Sequence, residues 1–309
     1  MKWYWIVLIA FFGSLLIASV SAVKRMFRAV FSGRYGDDAQ EQAAKTDDSP
    51  VMRCRLETRA FMDAQKSEPW RMRSFDGRTM AADFYPNDGS LRVVILMHGW
   101  RSRNWWDYGA AFERLYRAGY AILSVSERAS GQSEGEYVTF GVHEHKDLCA
   151  WIDFTVDRLG ADVRIALFGV SMGAAAVLLA SGAALPKEVR CAVSNCSYTT
   201  AETLFKRMTH GFLPISRRLV DLELRRKANA SFYDARPIDA VRRSETPTLF
   251  IHGDADQLVP PGMCAELYDA CAAEKAMWIA RGAAHGEAGH VDPDGYAAAV
   301  LPFLEKYMQ

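Results

Sequence analysis

The 309-residue chain sets 37 lysines and arginines against 37 aspartates and glutamates, and half of its residues are apolar. That balance excludes nucleic acid recognised through bulk positive charge, and the apolar content excludes a disordered chain. The length suits one large buried core, and no internal repeat divides it.

The first element is Trp3 to Val23, which carries no charged residue and is long enough to cross a hydrocarbon core of about 30 Å. Trp3, Tyr4 and Trp5 stand where an interfacial aromatic belt would lie, and Lys24, Arg25 and Arg28 follow. Residues 1–23 are therefore expected to be a single-pass membrane anchor. A cleaved signal peptide ending near Val20-Ser21-Ala22 is the alternative. The basic residues after the span favour a cytoplasmic domain, although an N-terminal span also displays exported enzymes. Residues 24–50 read as a polar tether, and 51–309 as the folded domain.

Within that domain, short apolar runs alternate with amphipathic stretches. The predicted strands are Trp70–Phe75, Thr79–Tyr85, Arg92–Met97, Ala121–Val125, Arg164–Phe168, Cys191–Asn195, Pro247–Ile251 and Ala276–Ile279. The predicted helices are Trp105–Arg117, Phe140–Leu159, Met172–Ala184, Gly262–Ala272 and Pro293–Tyr307. The alternation predicts an α/β fold, a mostly parallel eight-stranded sheet with helices on both faces. Asp76-Gly77 marks a hairpin between the first two strands. Residues 198–241 lack a strand pattern and show helical periodicity in Leu204, Phe205, Met208 and Phe212, then Leu219 and Leu222. This stretch reads as a helical cap over the strand ends that would shape a substrate pocket.

Gly169-Val170-Ser171-Met172-Gly173 follows a predicted strand and opens an alanine-rich helix. In that context the pattern is a nucleophile elbow, with Ser171 at the helix head, where N–H groups and the positive helix end meet developing negative charge. Serine needs a base, and the base an orienting acid. Asp254 and Asp256 both follow the strand at Leu249–Ile251, and the spacing from His252 favours Asp256. For the base, His285 lies in a small-residue loop after the last strand, whereas His290 reads as a surface residue near a helix start. Backbone N–H groups of Trp100 and Met172 are the expected oxyanion donors. His98 and His252 read as rings bonded to backbone, and His143, His145 and His210 as helical. No metal site is expected, and the six scattered cysteines read as unpaired.

His98-Gly99-Trp100, Glu127 to Gly135, the elbow, His252-Gly253 through Asp256 to Val259-Pro260, and Gly282-Ala283-x-His285 together resemble the α/β-hydrolase superfamily. Order and spacing are similar to bacterial membrane-anchored or secreted hydrolases grouped with esterase-like and serine aminopeptidase-like (S33-type) members. The resemblance implies the triad Ser171, Asp256 and His285 and no cofactor. One stretch departs: many relatives carry Asp-x-Arg-Gly-His-Gly, and here stands Ser126-Glu127-Arg128-Ala129-Ser130-Gly131.

The expected activity is cleavage of carboxylic esters through an acyl-enzyme, with a small ester or short acyl compound as substrate. Amide hydrolysis by a peptidase of the same machinery is one alternative, and a non-catalytic binding module on the same fold another. No obligate protein partner is evident, and the only partner surface expected is the membrane through the N-terminal helix.

Overall fold

The computed structural model describes residues 3–33, 37–209 and 214–309. In chain order the elements are α1 (Trp3–Phe31), α2 (Asp37–Thr46), α3 (Pro50–Asp63), β1 (Glu68–Arg73), β2 (Thr79–Tyr85), β3 (Arg92–Met97), α4 (Asn104–Arg117), β4 (Ala121–Ser126), α5 (Glu144–Leu159), β5 (Arg164–Val170) and α6 (Met172–Ser181). There follow β6 (Val189–Asn195), α7 (Ala201–Met208), α8 (Pro214–Ala228), α9 (Pro237–Val241), β7 (Thr248–Gly253), α10 (Pro261–Ala270), β8 (Lys275–Ala280), α11 (Ala288–Val291) and α12 (Pro293–Tyr307).

The strands form one eight-stranded sheet in the order β1-β2-β4-β3-β5-β6-β7-β8. β1 and β2 form an antiparallel hairpin, β2 pairs antiparallel with β4, and every other pairing is parallel. The apolar runs explain the central strands, because both faces of β3 are buried. Val93, Ile95 and Met97 face Leu148, Trp151 and Ile152 of α5, while Val94 and Leu96 face Phe112 and Leu115 of α4 and Leu304 of α12. Helices therefore cover both sheet faces, as the alternation predicts. Among the described residues, 198–241 carry α7, α8 and α9 and no strand, with Leu204, Phe205, Val220 and Leu224 buried. His210 and Phe212 lie outside the described residues.

The membrane expectation is corrected: among the described residues, no helix is long and apolar enough to cross a membrane. The physical reason lies at the C-terminal end of α1, which does not stop at Val23 but runs on through Lys24, Arg25 and Arg28. Val23, Phe27, Val30 and Phe31 are buried against Val138, Phe140, Phe205 and Phe232, so these turns find an apolar environment in the protein rather than in lipid. The expected single-pass location and membrane partner are withdrawn with it. The stretch read as a tether is also largely helical. Its second half contacts the domain, with Glu41 of α2 paired to Arg59 of α3 at 3.2 Å and Gln40 Nε2 donating to the Arg101 carbonyl at 3.1 Å.

The departing stretch after β4 has a clear local structure. Ala129, where many relatives carry glycine, has φ +60° and is fully buried, a conformation that costs an L-residue about 1–2 kcal/mol. Beside it, the Arg128 guanidinium donates two hydrogen bonds of 2.8 Å to the Asp147 carboxylate, with both side chains almost wholly buried.

Candidate active site

The strand ends position every group of the site. Ser171 joins β5 to α6 with φ +55° and ψ −112°, a region that costs about 1–3 kcal/mol for a residue bearing a Cβ. Glycines make the turn possible by removing bulk. A Cβ on Gly169 would sit 2.3 Å from the Gly173 carbonyl oxygen, and one on Gly173 would sit 2.3 Å from that of Met97. The helix thus starts hard against two strands, with the serine projecting between them.

His285 follows β8, and Asp256 follows β7. Their loops are pressed together, since a Cβ on Gly253 would fall 2.1 Å from the Ala283 carbonyl oxygen. Asp254, the other candidate acid, accepts the Gly282 N–H at 2.6 Å and ties the two loops. The result is a continuous chain of hydrogen bonds. Ser171 Oγ lies 2.8 Å from His285 Nε2, and His285 Nδ1 lies 2.7 Å from Asp256 Oδ2. An ionised carboxylate only accepts, so Nδ1 carries the proton and Nε2 is left to accept from the serine.

Asp256 is fixed independently of the histidine. Its Oδ1 accepts the N–H groups of Leu258 and Val259, each at 2.9 Å, and His252 Nε2 lies 3.2 Å from Oδ2. Burial alone would raise the carboxyl's pKa, but these bonds and the one to His285 outweigh it and hold it well below the usual carboxylate range. His252 also bonds the Val259 carbonyl at 2.8 Å, as expected of a ring bonded to backbone, and touches the acid as well.

For His285, burial alone would lower the pKa, but contact with Cys196 and the bond to Asp256 prevail and raise it above the ordinary histidine value. A base with a raised pKa becomes neutral only at higher pH. The acid limb of kcat/KM is therefore expected above about pH 6.5, the unperturbed histidine value, and Asp256→Asn should move it down. A pH–rate profile of both proteins checks this.

Cys196 is buried and adopts φ +53°. Its sulfur lies within 4.8 Å of ligand atoms of Asp256 and His285. Those two are already hydrogen-bonded to each other.

On the other side of Ser171 lies the loop after β3. The Gly99 position faces Ser171, where a Cβ would come 3.3 Å from the serine's own. Among the described residues, neither Trp100 N–H nor Met172 N–H donates a backbone hydrogen bond, whereas the Ser171 N–H is taken by Asn195 O at 2.8 Å. Both N–H groups are therefore without a backbone acceptor, and Trp100 lines the same cavity as Ser171. The loop is held by residues that periodicity could not single out. The Asp107 carboxylate accepts Gly99 N–H, His98 Nε2 accepts Glu127 N–H at 3.2 Å, and the Trp100 indole donates to Val30 O at 2.8 Å. The Trp100 side chain is thus engaged with the end of α1, beyond any role of its backbone.

His290 is corrected. It is buried rather than at the surface, and burial, helped by Arg55, lowers its pKa to about 3. The cavity of about 170 Å³ holding Ser171 and His285 is lined, among the described residues, by Gln40, Arg55, Trp106 and Leu258.

A model of the prolyl oligopeptidase family matches residues 106–309. The uncharacterized protein YqkD of Bacillus subtilis is 26% identical over 195 residues, which is 60% of this chain; the chain spans 63% of that relative's length. Among solved structures, the Pyrococcus furiosus esterase Pf2001 superposes with a TM-score of 0.66 at 23% identity, covering 80% of this chain and 94% of that one. Est1E of Butyrivibrio proteoclasticus, solved with ferulic acid, gives 0.64 at 18%, covering 77% and 99%. A puromycin-hydrolyzing peptidase of Mycobacterium tuberculosis gives 0.59 at 21%, covering 79% of this chain and 39% of that one. At these identities the structural likeness speaks for the fold, which is that of the α/β-hydrolases.

Proposed function

The chain belongs to the prolyl oligopeptidase family, and on that footing we propose that this serine hydrolase cleaves small carboxylic esters through an acyl-enzyme on Ser171. Ser171 Oγ attacks the carbonyl carbon while His285 Nε2 takes its proton. Asp256 holds the ring and stabilises the imidazolium, and the N–H groups of Trp100 and Met172 receive the oxyanion. His285 then returns the proton to the leaving alkoxide, and water repeats the sequence to release the acid. The observation carrying this reading is the unbroken chain from Ser171 Oγ through His285 to Asp256, with bonds of 2.8 and 2.7 Å. Residues 51–309 serve in it as the catalytic domain, with 198–241 as a helical cap.

The size of the cavity supports a small substrate. About 170 Å³ has room for roughly five or six water-sized groups, enough for a short acyl chain. Amide cleavage is the second reading, favoured by the peptidases among the family and the structural neighbours. An ester needs less leaving-group protonation than an amide, so the same site turns over esters faster.

A fluorophosphonate probe should label Ser171 and nothing else, and short acyl esters should be hydrolysed with higher kcat/KM than the matching aminoacyl amides. Faster turnover of the amides would reassign the enzyme to peptide chemistry. Absence of labelling on folded protein would leave a binding module.

A further inference from the structure

We propose that Arg55 makes this enzyme selective for substrates that carry a carboxylate beside the scissile bond, such as half-esters of short dicarboxylic acids. The inference rests on the ester reading of Ser171 and concerns a residue from the N-terminal helices rather than from the strand ends.

Arg55 reaches the site from α3 and lines the same cavity as Ser171 and His285. It is only 8% exposed. Its Nε donates to the Trp106 carbonyl at 3.1 Å, and its guanidinium carbon lies 4.2 Å from the centre of the Trp106 ring. These contacts fix the plane of the group. Among the described residues, Nη1 and Nη2 donate no hydrogen bond, and the only ion pair is Nη2 to Glu287 Oε1 at 4.0 Å. The carboxylates facing Arg55 are Asp107, Glu287 and the more distant Asp47. Asp107 is committed to Gly99 N–H, and Glu287 stops short of hydrogen-bond distance.

A guanidinium removed from water in this way normally ends with its terminal nitrogens on a carboxylate. Here two of them are fixed in orientation and lack such a partner, in the cavity that holds the serine. A carboxylate accepting both would satisfy the fork and orient the acyl or alcohol part for attack. Stacking on Trp106 means that the fork need not reorganise when the ligand arrives.

The test uses the full chain. Values of kcat/KM are measured for p-nitrophenyl hemiglutarate against p-nitrophenyl pentanoate, and for carboxymethyl butyrate against ethyl butyrate. Wild type should prefer the anion by about tenfold or more in one pair, chiefly through KM. The pair that responds tells whether the carboxylate belongs to the acyl or the alcohol side. Arg55→Gln should collapse that preference toward unity, and Arg55→Lys should keep part of it. Glu287→Gln, which removes the competing carboxylate, should enlarge it. Independently of turnover, free glutarate should slow fluorophosphonate labelling of Ser171 in wild type more than in Arg55→Gln.

Equal kcat/KM within both pairs, with the neutral esters still hydrolysed and glutarate without effect, would overturn the role of Arg55 and leave the ester reading standing. No hydrolysis of any ester, with Ser171 unlabelled, would instead bring down the reading on which the proposal rests.

Discussion

Ser171→Ala is expected to lower kcat by about 10⁶, and His285→Ala by a similar factor, because serine, base and acid act as one unit. The two bonds at 2.8 and 2.7 Å are the basis of this expectation. Without His285 the serine keeps its proton, and without Ser171 the base has nothing to activate. The double variant Ser171→Ala with His285→Ala should be hardly slower than either single one. Asp256→Asn should cost about 10⁴, since an amide in place of the carboxylate favours the wrong ring tautomer. His252 beside Asp256 cannot compensate, as its own Nε2 is held by Val259 O. His290→Ala should affect stability more than kcat, because the ring is buried. The measurement is single-turnover hydrolysis on protein whose folding is verified by circular dichroism. A His290→Ala variant that lost activity while His285→Ala kept it would reverse the assignment of the base.

Arg128→Met is expected to destabilise the fold by about 3–5 kcal/mol, a large share of the roughly 5–15 kcal/mol that hold a typical domain together. Arg128 is the cation for Asp147, with both side chains nearly inaccessible and two bonds at 2.8 Å. It also reaches Asp76 at 3.3 Å. Its loss would strand a buried carboxylate near two further buried acids, Glu127 and Glu144. Asp147→Asn should cost less, because Asp76 remains as a counter-charge for Arg128. The double variant Arg128→Met with Asp147→Leu should recover part of the loss, since neither charge is then left buried alone. Denaturant midpoints of the four proteins decide it. A double variant as unstable as the sum of the singles would mean that packing, and not charge, dominates. The pair matters to the site through its neighbour, because Glu127 N–H bonds His98 at the start of the loop after β3, beside Ser171.

By itself the sequence determined the sheet and the order of the site along the chain. Apolar runs such as Val93–Met97 can be buried only in a strand covered on both faces, and all eight predicted strands overlap observed ones. Gly169-Val170-Ser171-Met172-Gly173 was legible because its glycines answer to local sterics, the approach of a helix to two strands, which a five-residue pattern already contains. The order of Ser171, Asp256 and His285 could be read because each follows a recognisable strand. The uncharged apolar run misjudged α1, because it could not show that the last turns of the helix would be covered by protein. Only packing put Phe27 and Phe31 against Phe140 and Tyr137. Tertiary structure alone also decided which side chains from distant segments converge. Arg55 reaches a cavity whose serine lies more than a hundred residues away in the chain, Asp107 holds Gly99, and Cys196 sits against His285. No spacing rule links such residues, since their meeting depends on how α3, α4 and the strand ends fold over one another.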